Sequence, residues 1–525
     1  MPKVLVSDPI AEDGIELLRR HAEVDVRTGL PPEELVRIIP EYEALIVRSE
    51  TKVNSELLAA ARSLKVVARA GVGVDNIDIP AATQRGIIVV NAPTGNTISA
   101  AEHTIAMMLA LSRHIPEADA TMKAGVWDRK RFLGTEVRGK TLGLIGLGQV
   151  GAEVARRAAG LDMHLIGFDP FVTEERAASI GVELVAKDAL LKQADYVTLH
   201  VTLNPQTKHL IGEKELKSMK PGARIINTSR GGIIDERALH DAVRDGVIAG
   251  AALDVFEEEP LGESPLRALP GMILTPHLGA STTEAQERVS IDVAEQVVEV
   301  LANRPARYAV NAPLIAPETM TELAPYMEVA SMLGSLATQL AEGQLHNVEI
   351  LYDGDIALLD HTPLRAAVVR GLLAPISEEN VTIVNAGLVA ESRGLHIRET
   401  SGDANGTFSN LITVRLSAGE GTISVGGTYA HGGPHIVSIN EFAVSVPPAE
   451  GYLIVCDNMD RPGMIGAVGN LLGEFDINVS FMNVGRETKR GHAMMVLVID
   501  EPLNDEQLLT LSSISGLYSA KQARI

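Results

Sequence analysis

From Lys3 to about Arg304, short runs of Val, Ile, Leu and Ala alternate with helical patterns, twice in succession. Nothing else in the chain limits its fold as sharply. The first series predicts strands at Lys3–Asp8, Ala44–Ser49, Leu64–Ala70 and Ile87–Asn91, with helices at Ala11–Arg20 and Ser55–Ala61. A long helix is predicted from Ser99 to about Lys123. The second series predicts strands at Thr141–Ile145, His164–Asp169, Tyr196–His200, Arg224–Asn227, Ala249–Val255 and Met272–Thr275. Its helices include Asp235–Asp245, capped by Asp235, and Thr282–Ala302. Apolar strands that alternate with helices build βαβ units, whose parallel sheets are covered on both faces. The expected class is therefore α/β, with two Rossmann-like, doubly wound parallel-sheet domains.

The alternation stops near Arg304. Asn311–Pro317 (NAPLIAP) reads as a linker, and from Thr382 onward the spacing predicts a meander of strands with Gly turns, ending in Gly426-Gly427 and Gly432-Gly433-Pro434. That stretch reads as an α+β domain. Pro447–Gly451 is a second boundary, followed by a module of about 75 residues with a strand–helix–strand–strand–helix grammar. A chain of 525 residues has room for three or four domains, and this pass gives four.

Composition excludes several functions. A net charge of -22 argues against nucleic acid or an anionic membrane surface as partner. The single Cys456 rules out an intrachain disulfide framework and a thiolate metal cluster. No HExxH, CxxC or clustered His/Asp spacing appears, so no metal is expected. MPKVLVSDPI has no basic stretch followed by an apolar one, and no uncharged apolar run reaches about 18 residues. A cytoplasmic location is expected.

Gly146-Leu147-Gly148-Gln149-Val150-Gly151 follows the strand LGLIG and opens the helix AEVARRAA. Glycines at these positions permit a tight turn and let backbone approach a pyrophosphate at the helix N-terminus. The next strand ends at Asp169, eighteen residues past Gly151, where a carboxylate would accept from the adenosine ribose hydroxyls. An acid there repels a 2′-phosphate, so NAD is expected rather than NADP.

Three further segments end predicted strands at the ligand-binding edge: Asn227–Gly232, Asp254–Pro260 and Thr275–Ala280. Hydride transfer from a carbinol carbon needs a group that takes the hydroxyl proton, and histidine titrates near neutrality. A neighbouring carboxylate would fix its ring, and an arginine could hold a substrate carboxylate in a bidentate pair. In order and phrasing these segments resemble the D-isomer-specific 2-hydroxyacid dehydrogenases over residues 1–310. The resemblance implies Arg230 as carboxylate anchor, His277 as proton donor and acceptor, and Glu259, the acid immediately before Pro, as the partner of the histidine. It also implies that Asp254 contacts the nicotinamide side, that Thr228 and Ser229 offer backbone groups to the cofactor, and that Gly279 and Ala280 join the cofactor site. Ser229 stands where Ala is usual.

On the first domain, Val47-Arg48-Ser49, Arg69–Asn76 and Asn91–Thr97 each follow a predicted strand, so their loops can face one cleft. Gly71, Val72 and Gly73 would offer backbone N–H groups to a carboxylate, and Arg48, Ser49 and Asn96 donors to a second anionic group. Here the resemblance narrows to family members that act on 3-phospho-D-glycerate, although Gly95 stands where Ser is common. It implies NAD-dependent oxidation to 3-phosphohydroxypyruvate, the first step of the phosphorylated route to L-serine. Between Trp127 and Lys140 five basic residues meet two acidic ones. That loop is either a solvated connection or the source of Arg131, or Lys130, for the substrate phosphate, supplied from a neighbouring subunit.

Asp457–Gly466 contains a D-R-P-G turn and Asp476-Ile477-Asn478 follows the next helix, a pattern that resembles the ACT domain, a small ferredoxin-like amino-acid sensor. By that resemblance Asn458, Asp460 and Asn478 would hold L-serine where two such domains pair, and a homodimer or homotetramer is expected. The middle region resembles the intervening domain of the long-form members. The resulting division is 1–98 plus 283–310 as a discontinuous, flavodoxin-like substrate domain, 99–282 as the NAD domain, 314–448 as the intervening domain and 451–525 as the ACT domain. Two other readings stand beside this one: a glyoxylate or hydroxypyruvate reductase, and a non-enzymatic sensor of NAD and amino acid on a dehydrogenase scaffold.

Overall fold

A computed structural model of the chain describes residues 1–312, 316–377, 381–403, 408–419, 421–447 and 450–525. Residues 313–315 of the predicted linker, and 448–449 of the second predicted boundary, lie outside the described residues.

Two parallel sheets form, as the alternation requires. The first has five strands in the spatial order Glu23–Val26, Lys3–Val6, Ala44–Val47, Val66–Arg69, Ile88–Asn91, every pair parallel. This is the flavodoxin-like order, and its switch point lies between Lys3–Val6 and Ala44–Val47. The second has seven parallel strands in the order Met272–Leu274, Gly250–Leu253, Arg224–Asn227, Tyr196–Leu199, Thr141–Ile145, His164–Phe168, Glu183–Leu184. Its switch point lies beside Thr141–Ile145, directly below the glycine fingerprint. The strands Ala44–Val47 and Gly250–Leu253 are buried at every residue, which explains why they read as unbroken apolar runs.

The helix Thr283–Leu301 returns to the first sheet. It packs Val289, Val293, Ala294, Val297 and Val300 against Val4, Val6, Ile46, Ala68 and Val90. Gly14 lets the helix Glu12–Arg19 lie close against it, since a Cβ there would come 2.6 Å from the Ser290 carbonyl.

The long helix expected from Ser99 to Lys123 is two helices, Thr97–Arg113 and Ile115–Lys123. His114 between them is left-handed, with φ 55°. Pro116 is the reason: it lacks an N–H and its ring disfavours a continuous helix through this turn. The expected glycine turn at Gly426-Gly427 is instead a bulge inside the strand Gly421–Ala430, where a Cβ on Gly426 would collide with Ser438. The turn falls at His431-Gly432, both with positive φ.

The middle region forms a six-stranded mixed sheet covered by the helices Pro317–Leu340 and Thr362–Leu373. The last module adds a strand, Leu517–Arg524, to the predicted grammar and closes a four-stranded antiparallel sheet. These two regions share one core, in which Leu333, Leu336, Val348 and Ile412 pack with Leu453, Val455, Val496 and Ala523. Gln339 seals the seam: its amide donates to the Arg524 carbonyl at 3.1 Å and accepts from the Arg524 N–H at 2.8 Å. The middle region also reaches the first sheet, where Thr382 and Asn385 donate to the carbonyls of Gly86 and Gln84.

Cys456 is fully buried under the helix Met464–Glu474, and burial pushes its thiol up to about 12. The thiolate is the reactive form. A thiol reagent at neutral pH should therefore leave the native chain unlabelled and label one site after denaturation; labelling of native protein at the denatured rate would contradict this packing.

Among the described residues, no helix is long and apolar enough to cross a membrane.

Candidate active site

The carboxyl ends of both sheets carry the residues with chemistry. At the second sheet's switch point, Gly146 has φ 93°, and a Cβ there would collide with the His200 carbonyl. A Cβ on Gly151 would strike the Gly146 carbonyl, so the turn and the helix start press together. Gly148 is the N-cap of the helix Gln149–Ala159, and a Cβ on it meets nothing within 4 Å. Open space over a helix N-terminus is the cradle a pyrophosphate needs. Asp169 stands beside this loop: Oδ2 accepts from the Leu147 N–H and Oδ1 from the Phe171 N–H, both at 2.9 Å. Gln149 is exposed and accepts from Thr97 at 3.2 Å, while Val150 is half-buried. These residues fit a dinucleotide.

His277 Nδ1 donates to Glu259 Oε2 at 2.7 Å, and Glu259 Oε1 accepts from the Phe256 N–H at 3.0 Å. Burial pushes the Glu259 carboxyl up, but the His277 hydrogen bond and charge and the Phe256 amide outweigh it and hold it below the usual carboxylate range. The imidazole is 43% exposed, and with Nδ1 committed to Glu259 its Nε2 is the nitrogen left for a substrate. His277 itself is left-handed, φ 53°, in a loop tied down by Asp254.

Asp254 is completely buried. Its Oδ1 accepts from Thr275 Oγ1 at 2.6 Å and the Leu278 N–H at 2.7 Å, and its Oδ2 from the Gly279 N–H at 2.8 Å. His103 Nε2 lies 3.2 Å from the same carboxylate. Burial raises the Asp254 carboxyl, and these donors more than reverse that. The acid thus organises the loop that presents His277. His103, on the helix Thr97–Arg113, is part of this arrangement, and nothing in its helical sequence context signals that.

Thr228 is buried and its hydroxyl meets Thr104 Oγ1 at 2.7 Å. Ser229 turns its N–H and hydroxyl back onto Asn227 Oδ1. Ala280 is half-buried beside the buried Gly279.

Arg230 bridges the two sheets. Its Nη1 donates to the Ser229 carbonyl at 2.7 Å, while Nε lies 3.2 Å from Asp75 Oδ2 on the first sheet's loop. A Cβ on Gly73 would fall on the Arg230 guanidinium and the Asp75 carboxylate as they stand, so a larger residue there would displace this pair. Val72 is held by Asn91, whose amide donates to its carbonyl at 2.6 Å. At the first sheet's switch point buried Asp8 accepts from the N–H groups of Arg48 and Thr51 and the Thr51 hydroxyl, which shapes the Arg48-Ser49 loop. Asn76 adds two bonds, to the carbonyls of Arg48 and Thr51, each 2.7 Å. Asp8, Asp75 and Asn76 were missed from sequence. Asp8 and Asn76 order their loop through main-chain groups, and Asp75 acts through Arg230, partnerships that only the folded register reveals.

Asn96 stands at the N-cap position of the helix Thr97–Arg113, without a side-chain capping hydrogen bond, beside Gly95, whose carbonyl accepts from Arg288. Arg131 is not joined to the cleft within one chain: it is exposed, with its guanidinium over the Phe132 ring at 5.5 Å.

The three expected effector residues are not gathered within one chain either. Asn458 pairs with Ala493 on the strand His492–Ile499, whereas Asn478 donates to Asp500 at the other end of that strand. Seven residues of strand separate them, more than about 20 Å. Asn458 is buried with Oδ1 unpartnered, and Asp460 accepts from the Arg490 N–H at 3.0 Å and from Arg486 at 3.3 Å.

Comparison with known proteins matches three segments of the chain to described families. Residues 105–279 match the D-isomer specific 2-hydroxyacid dehydrogenase NAD binding domain, 322–440 the D-3-phosphoglycerate dehydrogenase intervening domain and 452–511 the ACT domain. A relative named D-3-phosphoglycerate dehydrogenase from Synechocystis sp. is 47% identical over 100% of this chain and 95% of its own. One of the same name from Methanocaldococcus jannaschii is 44% identical over 98% of both, and one from Bacillus subtilis 42% over 99% of both. Among solved structures, the TT0316 protein from Thermus thermophilus has 35% identity and a TM-score of 0.55, over 59% of this chain and 99% of its own. A glyoxylate reductase structure has 32% identity and a TM-score of 0.54, over 59% of this chain and 98% of its own.

Proposed function

The chain belongs to the D-isomer specific 2-hydroxyacid dehydrogenases, and from that premise we propose that it oxidises 3-phospho-D-glycerate to 3-phosphohydroxypyruvate. The observation that carries this reading is the Glu259–His277 pair, with Arg230 on the same sheet's loops, facing a first-sheet edge that holds Arg48 and Arg69.

NAD, when bound at Gly146–Gly151 and Asp169, supplies the acceptor for the hydride that leaves C2. Arg230 and the N–H groups of Gly71–Gly73 hold the substrate carboxylate and set C2 in place. Nε2 of His277 takes the C2 hydroxyl proton as the hydride departs, and Glu259 at Nδ1 stabilises the imidazolium that results. Run backwards, the same ring returns the proton to the carbonyl oxygen. Arg48, Ser49 and Asn96 face the phosphate, and Arg131 would have to come from a second copy to join them.

The division at 99, 283, 314 and 451 is part of this proposal. So is an L-serine site between paired ACT domains, because the separation of Asn458 from Asn478 in one chain requires a second copy to complete it. A cytoplasmic setting accords with one reduced, buried cysteine. The reductase reading has a solved relative over the dehydrogenase half alone, and a monocarboxylate such as glyoxylate or hydroxypyruvate leaves the cleft's surplus positive charge unanswered. A non-enzymatic sensor has no use for the complete Arg230, Glu259 and His277 set.

The test is NADH formation with 3-phospho-D-glycerate, with and without L-serine, on the full chain. Turnover that serine suppresses is expected. Absence of turnover sinks the activity, and serine-indifferent turnover sinks only the effector site.

A further inference from the structure

We propose that Glu236 is a positioning residue of the proton relay, holding the loop that carries Glu259 by accepting the N–H of Glu257. The inference rests on the Glu259–His277 relay of the reading above, and not on which hydroxy acid the cleft takes.

Glu259 belongs to a loop with little to hold it. Past the strand Gly250–Leu253, and among the described residues, the main chain of 255–259 makes no hydrogen bond to other main chain. The Phe256 N–H is spent on Glu259 itself. The Glu257 N–H is bound from outside the loop, donating to Glu236 Oε1 at 2.6 Å. Glu236 opens the helix Glu236–Arg244, and its own N–H donates back to Glu257 Oε1 at 3.2 Å. The two glutamates therefore form a closed clasp, each carboxylate on the other's main chain. His209 joins it, with Nε2 3.1 Å from the same Glu257 Oε1. The first Glu of the E-E-E-P run, which the relay itself does not use, is thus the loop's anchor.

The helix end is fixed without the clasp. The His209 N–H donates to the Gly232 carbonyl at 2.8 Å and the Ile211 N–H to the Ile233 carbonyl at 3.2 Å, and the Asp235 N–H donates to the Ile211 carbonyl at 3.0 Å. Asp235 then caps the helix, accepting from the Ala238 N–H at 2.9 Å. The segment that runs from Arg230 to Glu236 is a fixed post, and the relay loop is what is tied to it. Electrostatics alone would not assemble this. Burial pushes the Glu236 carboxyl up, and the charges of Glu257 and Glu259 add to that, against the lowering by the Glu257 N–H. What the arrangement gains is a strong acceptor at a set place, since an amide bonded to a carboxylate is shorter and firmer than one bonded to a neutral oxygen.

Steady-state kinetics on wild type, Glu236→Ala and Glu236→Gln, alone and in a Glu259→Ala background, test this directly. A misplacement of about 1 Å at the reacting groups costs about 100-fold, so loosening one tie predicts a fall of about 10-fold in kcat for Glu236→Ala, with KM for NAD and for the acid changed less than about 2-fold. Glu236→Gln keeps an oxygen for the Glu257 N–H and should stay within about 3-fold of wild type. With Glu259 already removed, Glu236→Ala should cost less than about 2-fold more, because it acts through Glu259. A merely structural loss would multiply in that background and overturn the proposal, as would unchanged kcat in Glu236→Ala or equal losses in the two single variants. Carbethoxylation of His277, followed by peptide mass, reads the relay without turnover. Release of Nδ1 from Glu259 should speed it in Glu236→Ala and not in Glu236→Gln, and equal rates in all three proteins overturn the proposal. Wild type that turns over another 2-hydroxy acid but not 3-phospho-D-glycerate would sink the substrate assignment instead, and the same comparisons would then be read on that acid. If Glu236→Ala does not fold, Glu236→Asp carries both readouts, since it keeps the charge but is one methylene too short for the Glu257 N–H.

Discussion

His277→Ala is expected to lower kcat by about 10²- to 10⁴-fold, the span that a positioned proton donor and acceptor commands. The fold should survive, because the ring is 43% exposed and leaves no cavity. His277 sits at φ 53°, so alanine adds a small backbone cost that asparagine avoids; His277→Asn should match the activity loss with wild-type thermal stability. Glu259→Gln should act through the same ring. It removes the charge that supports the imidazolium and leaves Nδ1 without its anionic acceptor, so the alkaline limit of the reductive direction should move to lower pH. Because the two residues form one unit, the double variant should be no slower than His277→Ala alone. Multiplicative losses in the double variant would show that Glu259 has a separate task. The pair also has an acid limit. The Glu259 carboxyl is held low in the folded chain, so its stabilising contribution is present above the ordinary carboxylate range and is lost as pH falls through the lowered value.

The dehydrogenase half was legible in sequence because its signals are local. Fully buried strands such as Ala44–Val47 leave unbroken apolar runs, and Gly146, Gly148 and Gly151 are glycines for steric reasons that the turn imposes. The edge strand Glu23–Val26 left no trace, since none of its four residues is buried and its polar alternation resembles a loop. The helix break at His114 was missed because the apolar period of Thr97–Arg113 runs on into the next helix, and the single interrupting proline lies inside its first turn. In the site, the residues that carry chemistry were readable from type and order, while most of those that hold them were not. Asp8 and Asn76 act through main-chain N–H and carbonyl groups brought together by sheet register, and a register between strands some 20 to 40 residues apart is not written in any one segment. Arg69 is readable in sequence only as the start of a segment that can face the cleft, and its buried Nε without a partner is a property of the fold alone.

Gly231→Ala is expected to abolish activity and destabilise the dehydrogenase half. A Cβ at this position would occupy the space of the Phe256 carbonyl group, with the Glu257 N–H close behind at 2.9 Å. Those atoms are main chain and cannot swing aside as a flexible side chain would. The substitution therefore pushes the Thr228–Gly232 loop away from Phe256–Glu259. The first loop carries Arg230, and the second holds Glu259 through the Phe256 N–H at 3.0 Å, so the carboxylate anchor and the proton relay move apart. A misplacement of about 1 Å between reacting groups costs about 100-fold, and overpacking of this kind adds roughly 1–3 kcal/mol of destabilisation. For a unit of this size that is a fall in Tm of several degrees. Gly262 supplies the control. It lies in the same excursion, has ordinary φ and open space around it, and Gly262→Ala should leave kcat and Tm unchanged. If Gly231→Ala keeps wild-type kcat, the two loops are not coupled through this contact and the relative placement of Arg230 and Glu259 is set elsewhere. If it loses activity at unchanged Tm, the loops have parted without loss of packing, and the contact serves geometry alone.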